Sequence, residues 1–350
     1  MPEPIVISID AMGGDHGPSV VVPGVALACE RLRGRDVRFL LHGDGAKLEP
    51  ALKRRKAAAC VSEVRHTESV VAMDEKPAQA LRRSRGSSLW NAVAALREGE
   101  AHAAVSAGNT GALMAISKVV LRMAADVDRP AIVASWPTLR GVTAVLDVGA
   151  NVSSDAAQLV EFAIMGAAFH HAVHGSARPT VGLLNVGTEE VKGHDEVREA
   201  NRLLSELALG LDYRGFVEGS DIAKGTVDVV VTDGFTGNIA LKTAEGMARF
   251  FSTTLKQTLA SSVTAKAGAL IALPALRGLR RRLDPSSVNG GPLLGLNGIV
   301  VKSHGGTDAK GFANALKVAA DMARSDYAAE IAGKLGRLTT ALQTEAAAAS

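Results

Sequence analysis

At 350 residues, 47% hydrophobic and 21% charged, the chain has the composition of a globular protein able to bury a large core. A formal net charge of only +3 and an aromatic content of 3% argue against a nucleic-acid partner, since neither a strong basic field nor a set of base-stacking platforms is present. The two cysteines, Cys29 and Cys60, lack metal-ligand or redox spacing and read as buried free thiols of a reducing compartment.

The chain opens with Met1-Pro2-Glu3-Pro4 directly before the apolar run Ile5 to Ile9, without a basic segment and apolar stretch of signal-peptide form, so no export is expected. Further short β-branched runs follow at Val37 to Leu41, Ala103 to Ser106, Val142 to Val148, Thr180 to Val186 and Val227 to Thr232. Helical stripes are carried by Leu113, Ile116, Val119, Val120 and Met123, by Leu159, Phe162, Met165 and Phe169, and by Ile239, Ala244, Met247 and Phe251. A last strand at Gly298 to Lys302 precedes a helix at Ala309 to Arg324. Apolar runs ending in glycine-rich turns and followed by helices are the pattern of parallel βα units, so the expected fold is α/β, a mostly parallel sheet between two helical layers. One domain over residues 1–338 is expected, with a loose Ala-rich tail at 339–350.

Ligands of such sheets gather beyond the carboxyl ends of the strands. The turns there are rich in chemistry. Asp10-Ala11-Met12-Gly13-Gly14-Asp15-His16 follows the first strand, and Ser106-Ala107-Gly108-Asn109-Thr110-Gly111 closes another at a helix start. Asp147 and Asn151 frame a third turn, and Asp233 and Asn238 a fourth. All four are expected at one edge of the sheet. Ser106, Gly108, Asn109, Thr110 and Gly111 read as an anion cradle, because glycine lets the backbone approach an oxyanion that hydroxyl and amide groups then bind. Lys192, in a further turn after Leu184-Asn185, is a compact cation suited to phosphate or a developing oxyanion. No Walker sequence, dinucleotide fingerprint or G-x-S-x-G elbow occurs, and the scattered histidines, with His170 and His171 adjacent on a helix, give no expectation of a metal.

These motifs, together with Leu146-Asp147-Val148-Gly149-Ala150-Asn151, Asp233-Gly234-Phe235-Thr236-Gly237-Asn238 and Lys302-Ser303-His304-Gly305, resemble those of the bacterial acyl-carrier-protein:phosphate acyltransferases, in order from residue 5 to about residue 330. Gly17 and Phe216 depart from that pattern and bear on local loop shape only. The resemblance implies an α/β/α fold similar to the isocitrate and isopropylmalate dehydrogenase group, a homodimer, and formation of acyl phosphate without metal or organic cofactor. It further implies acyl carrier protein as acyl donor, inorganic phosphate as acceptor, and a product handed to a membrane glycerol-phosphate acyltransferase at the inner face of the cell membrane. On this basis Ser106, Asn109 and Thr110 are expected to hold phosphate, Lys192 to neutralise it or the oxyanion, and Asp233 and Asn238 to orient the reacting groups. Asp10, Gly13, Gly14, Asp15, His16, Asp147 and Asn151 line the rest of the pocket. The rivals are a short-chain acyl-coenzyme A phosphate acyltransferase, a hydroxyacid dehydrogenase and a non-catalytic lipid-surface scaffold.

The stretch from about 250 to 285 differs in composition from the rest. Leu255, Leu259, Val263 and Ala267 continue one helical stripe into Ala267 to Leu276, too short to span a bilayer and bent at Pro274 into two helical pieces. Leu270, Ile271, Leu273 and Leu276 beside Arg280 and Arg281 are the expected contact with an anionic membrane surface, the alternative being a helical hairpin in a dimer contact.

Overall fold

The computed structural model describes residues 3–282 and 284–349. The first half alternates β1 (Ile5–Asp10), α1 (Pro18–Arg31), β2 (Val37–Gly43), α2 (Gly45–Lys53), α3 (Lys56–Ala59), β3 (Ser62–His66), α4 (Pro77–Arg83), α5 (Ser88–Arg97), β4 (Ala103–Ser106) and α6 (Thr110–Leu121). There follow β5 (Ala131–Pro137), β6 (Val142–Leu146), α7 (Ala156–His174), β7 (Thr180–Leu184), α8 (Asp195–Glu206), β8 (Asp212–Val217), α9 (Gly219–Lys224) and β9 (Val229–Val231). An arm of α10 (Gly234–Ala260), α11 (Val263–Ile271) and α12 (Leu273–Arg282) precedes the return through β10 (Gly291–Leu294), β11 (Ile299–Lys302), α13 (Ala309–Arg324) and α14 (Tyr327–Ala349).

The strands form one 11-stranded sheet in the order β3-β2-β1-β4-β11-β10-β5-β6-β9-β7-β8. Among the described residues seven strand pairs are parallel, and only β11/β10, β10/β5 and β5/β6 are antiparallel. Those three reversals make the block β3-β2-β1-β4-β11 run opposite to the block β6-β9-β7-β8. The carboxyl ends of β1 and β4 therefore lie at one edge of the sheet, those of β6, β9 and β7 at the other, and the expectation of a single shared edge is wrong. The physical cause is the hairpin between β5 and β6, closed by the Thr138 N–H donating to the Gly141 carbonyl at 2.8 Å, which turns the chain back with four residues instead of a helical crossover.

The helices of the body obey the apolar periodicity. Leu159, Phe162, Met165 and Phe169 of α7 are all buried, as are Leu113, Ile116 and Val120 of α6, although Val119 faces outward. Helix α1 lies on α13 through Gly24, where a Cβ would come within 2.9 Å of the Phe312 ring. The third stripe fails: only Gly234 and Gly237 of α10 are buried, and Ile239, Met247, Phe250 and Phe251 stand exposed, because α10 leaves the body beyond Leu241, which still packs partly against the core. The run to Ala267 is also interrupted, since Ser262 caps a new helix by accepting the Ala265 N–H. Helices α11 and α12 part at Ala272, two residues before Pro274. Leu270, Ile271 and Leu273 are exposed and Leu276 is half-buried, whereas the side chains of Arg280 and Arg281 lie outside the described residues. Among the described residues no helix is long and apolar enough to cross a membrane.

Two smaller expectations change. Cys60 is exposed at the end of the short surface helix α3, and Cys29 is only half-buried. From residue 339 on, where a loose tail was expected, α14 continues to Ala349, with Leu338 buried and Leu342 packed against the core.

Phe312 is fully buried under α1, so Phe312→Ala is expected to lower stability by about 3–5 kcal/mol, measured as a shifted urea midpoint.

Candidate active site

Directly paired residues of neighbouring strands point to the same face of a sheet. The register pairs Arg65 with His42, His42 with Asp10, Asp10 with Ser106, and Ser106 with Lys302, so five polar side chains from β3, β2, β1, β4 and β11 form one row at the carboxyl edge of the first block. Asp10 is buried and accepts the Ser106 hydroxyl at 2.7 Å, and Ser106 Oγ accepts the Gly108 N–H at 2.9 Å. This chain of bonds pulls the loops after β1 and β4 together. A Cβ at Gly13 would fall 2.3 Å from Asp10 Oδ2 and 2.8 Å from Gly108 N, so the contact admits only glycine. Burial pushes the Asp10 carboxyl above the usual range, against the hydrogen bond from Ser106 and the nearby Ser88 hydroxyl and Met12 and Gly13 backbone.

Lys302, at the inner end of the row, is a candidate to which the sequence analysis gave no role, although it opens the Lys302-Ser303-His304-Gly305 motif. Its ammonium donates to the carbonyls of Ala107 (3.3 Å) and Ser303, which leaves one N–H, and burial pushes its pKa down to about 8 against the pull of Asp10 and Asp15. The loop after it meets the glycine turn after β1, where Asp15 N–H donates to the Gly305 carbonyl at 3.0 Å and His16 and His304 are both exposed. Gly14, at φ +87°, faces Ala107 and the Gly305 carbonyl. The signal for Lys302 was a lysine closing an otherwise apolar strand, where cations are rare unless a partner or ligand holds them.

The anion cradle is smaller than the motif suggested. Ser106 and the Gly108 N–H are spent on each other. Asn109 caps α6 by accepting the Ala112 N–H at 3.0 Å, while its amide donates to the carbonyls of Met73 (2.9 Å) and Glu75 (2.8 Å), so its side chain clamps the 72–75 loop. Thr110 and Gly111 are the first helical residues of α6, with their backbone N–H groups at the positive end of the helix, and Gly111 is held close to Pro77.

At the opposite edge, Asp147 is fully buried and accepts five N–H donors: Oδ1 those of Ile132, Gly149 and Ala150, Oδ2 those of Asn151 backbone and amide. Asn151 also donates to the Pro130 carbonyl at 2.8 Å. This pair shapes the turn on which α10 starts, and Gly234 and Gly237 sit so close to it that a Cβ would collide with the Asn151 and Asp147 carbonyls. Burial pushes the Asp147 carboxyl up while those donors pull it down. Asp233 caps α10, accepting the Thr236 N–H at 2.9 Å and hydroxyl at 2.7 Å, and Asn238 is exposed beside Gly149. Lys192 is exposed and ion-paired with Glu189 at 2.8 Å. From β4 to β6 is four strand spacings, roughly 19 Å, so Lys192, Asp233 and Asn238 do not converge with the Ser106 loop within one chain.

The fold is shared with solved acyl-transferring enzymes. A phosphotransacetylase from Streptococcus pyogenes superposes with a TM-score of 0.61 at 17% identity, covering 92% of this chain and 95% of that one. A branched-chain phosphotransacylase from Enterococcus faecalis gives 0.56 at 14% identity, covering 91% and 99%. At these identities the likeness establishes the architecture, an α/β sheet of the phosphotransacylase kind. At the sequence level, the family described as fatty acid synthesis protein matches residues 5–330. The phosphate acyltransferase of Caulobacter vibrioides is 70% identical over 339 residues, covering 97% of this chain and 94% of that one, and that of Phenylobacterium zucineum is 60% identical over 346 residues, covering 99% and 98%. The chain belongs to the fatty acid synthesis protein family and is a phosphate acyltransferase.

Asp147→Ala strands buried N–H donors, so it is expected to destabilise the fold by about 3–5 kcal/mol. Urea unfolding checks this, and an Asp147→Ala protein of unchanged stability but lost turnover would instead make Asp147 a reacting group.

Proposed function

We propose that the enzyme transfers a fatty acyl group from the thioester of acyl carrier protein to inorganic phosphate, and that the reaction runs at the Asp10, Ser106 and Lys302 edge. The observation that carries this reading is the half-buried Lys302 ammonium, held beside the start of α6 by loops drawn together through Asp10 and Ser106. Phosphate binds the Thr110 and Gly111 N–H groups and the free N–H of Lys302. One phosphate oxygen attacks the thioester carbon, the carbonyl becomes an oxyanion, and the carbon–sulfur bond breaks. The proton carried by hydrogen phosphate ends on the departing thiolate, giving acyl phosphate and free thiol. No enzyme nucleophile is needed, because phosphate is the nucleophile and the thiolate leaves readily. Positioning and charge stabilisation in a dry site supply the rate. For the same reason the reaction calls for no metal or organic cofactor.

Trapping acyl phosphate with hydroxylamine is the assay, with acyl carrier protein and coenzyme A thioesters compared as donors. Lys302→Ala is expected to lower turnover about 100-fold or more with the far-UV spectrum unchanged, while Lys192→Ala stays within about threefold. The reverse result would move the chemistry to the other edge. Lys302 acts as the cation, so turnover is expected to fall as pH rises through about 8, a limb that Lys302→Arg shifts upward.

The arm gives the enzyme its place in the cell on this reading. A homodimer would present two α11/α12 tips, and their exposed Leu270, Ile271 and Leu273 would enter an anionic membrane surface, near the membrane glycerol-phosphate acyltransferase that takes the product. Co-sedimentation with anionic vesicles is expected to fall in a Leu270→Glu, Leu273→Glu double variant that remains dimeric. Equal sedimentation, or dissociation to monomers, contradicts the membrane role.

A further inference from the structure

The outer two members of the polar row, His42 and Arg65, take no part in the chemistry above. They face a separate open cavity of about 620 Å³ between the β2/β3 edge and α5, none of whose lining residues belongs to the Asp10, Ser106 and Lys302 centre. Three arginines line it, Arg65, Arg85 and Arg97, together with Trp90, one of only two tryptophans in the chain. The Arg85 guanidinium lies 5.7 Å from the Trp90 ring centroid.

His42 is 5% exposed, and neither of its ring nitrogens has a hydrogen-bond partner in the protein. A buried imidazole without partners is disfavoured unless something else satisfies it. Its neighbour His66 accepts the Gly45 N–H at Nδ1 (3.2 Å), which places the ring proton on Nε2, free to donate. Acidic residues are present but weakly engaged. Arg97 lies 3.5 Å from Glu98 and Arg65 lies 3.8 Å from Glu100, with all four side chains substantially exposed, and Arg65 pairs more closely with Glu63 at 2.6 Å. Exposed pairs of this kind hold their partners loosely, so a competing anion can displace them.

The chemistry of the lining is that of phosphate recognition, since guanidinium forks match phosphate oxygens and an imidazole N–H completes the set. The size says more. A cavity of this volume falls within the range of small-molecule sites, and a lone phosphate would fill only a small part of it. Trp90 and Ala94 and Ala95 of α5 add apolar surface to this otherwise polar lining, where an organic body could rest. We propose that this cavity is a second ligand site, which takes a phosphate ester carrying an organic body the size of a nucleoside or a pantetheine arm.

The test uses the full-length enzyme with Trp136→Phe, which leaves Trp90 as the sole tryptophan, excited selectively over the two tyrosines. Adenosine triphosphate, 4′-phosphopantetheine, inorganic phosphate and adenosine are titrated in turn. The site is supported by saturable fluorescence change with one of the two esters, which also names the source, and by weakening of about tenfold or more in an added Arg85→Gln, Arg97→Gln double variant that keeps wild-type acyl transfer. The proposal is overturned if neither ester gives saturable change, if the double variant binds as tightly as its parent, or if adenosine binds as well as its triphosphate. Because the double variant is scored on binding while acyl transfer is followed separately, a failure here leaves the assignment of the transfer site standing.

Discussion

The direction of each strand decides which loops of this enzyme can meet, and that direction is set by two hairpin strands in the middle of the sheet. With β10 antiparallel to both neighbours and β5 paired antiparallel to β6, the first block and the second block present their carboxyl ends at opposite edges. Every polar turn is thereby assigned to one of two groups. One group gathers around Lys302, and the other fastens α10 to the body through Asp147.

The two groups differ in how their polar atoms are spent. At the second edge the polar groups are spent on one another: Asp147 accepts five N–H donors, the Asn151 amide donates to Asp147 and to the Pro130 carbonyl, and Asp233 accepts from the Thr236 N–H and hydroxyl. Such an arrangement holds a turn and has little left for a substrate. At the first edge the bonds from Gly108 through Ser106 to Asp10 bring glycine loops together, and a cation with a spare N–H stands among them. A partly desolvated charge of this kind is hard to justify as packing, because desolvation opposes it, and its value lies in meeting an anion.

Much of the fold was legible because its signals were local. Buried strands such as Ile5–Asp10 are continuous apolar runs, and α7 carries its core residues at helical spacing along its length. The reversal was not legible by that route, since Ala131–Pro137 is as apolar as a parallel strand, and only the short 138–141 connection with Gly141 marks it as half of a hairpin. Helix α10 misled for another reason. Its apolar residues keep helical spacing, but periodicity reports a face and not what covers it, and here the face of Ile239, Met247 and Phe251 leaves the body. The site was half legible. Asp10, Gly13, Gly14 and the 106–111 turn stood out by composition, whereas the value of Lys302 depends on its register with Ser106, a relation between residues 196 positions apart in the chain.

The mechanism requires that phosphate bind at the Lys302 edge and attack the thioester from there. The most direct measurement is protection from an amine-reactive label: the enzyme is treated with acetic anhydride with and without inorganic phosphate, and each lysine is quantified by peptide mass spectrometry. Phosphate is expected to shield Lys302 and to leave the labelling of Lys192 unchanged. Protection of Lys192 with Lys302 unaffected would contradict it.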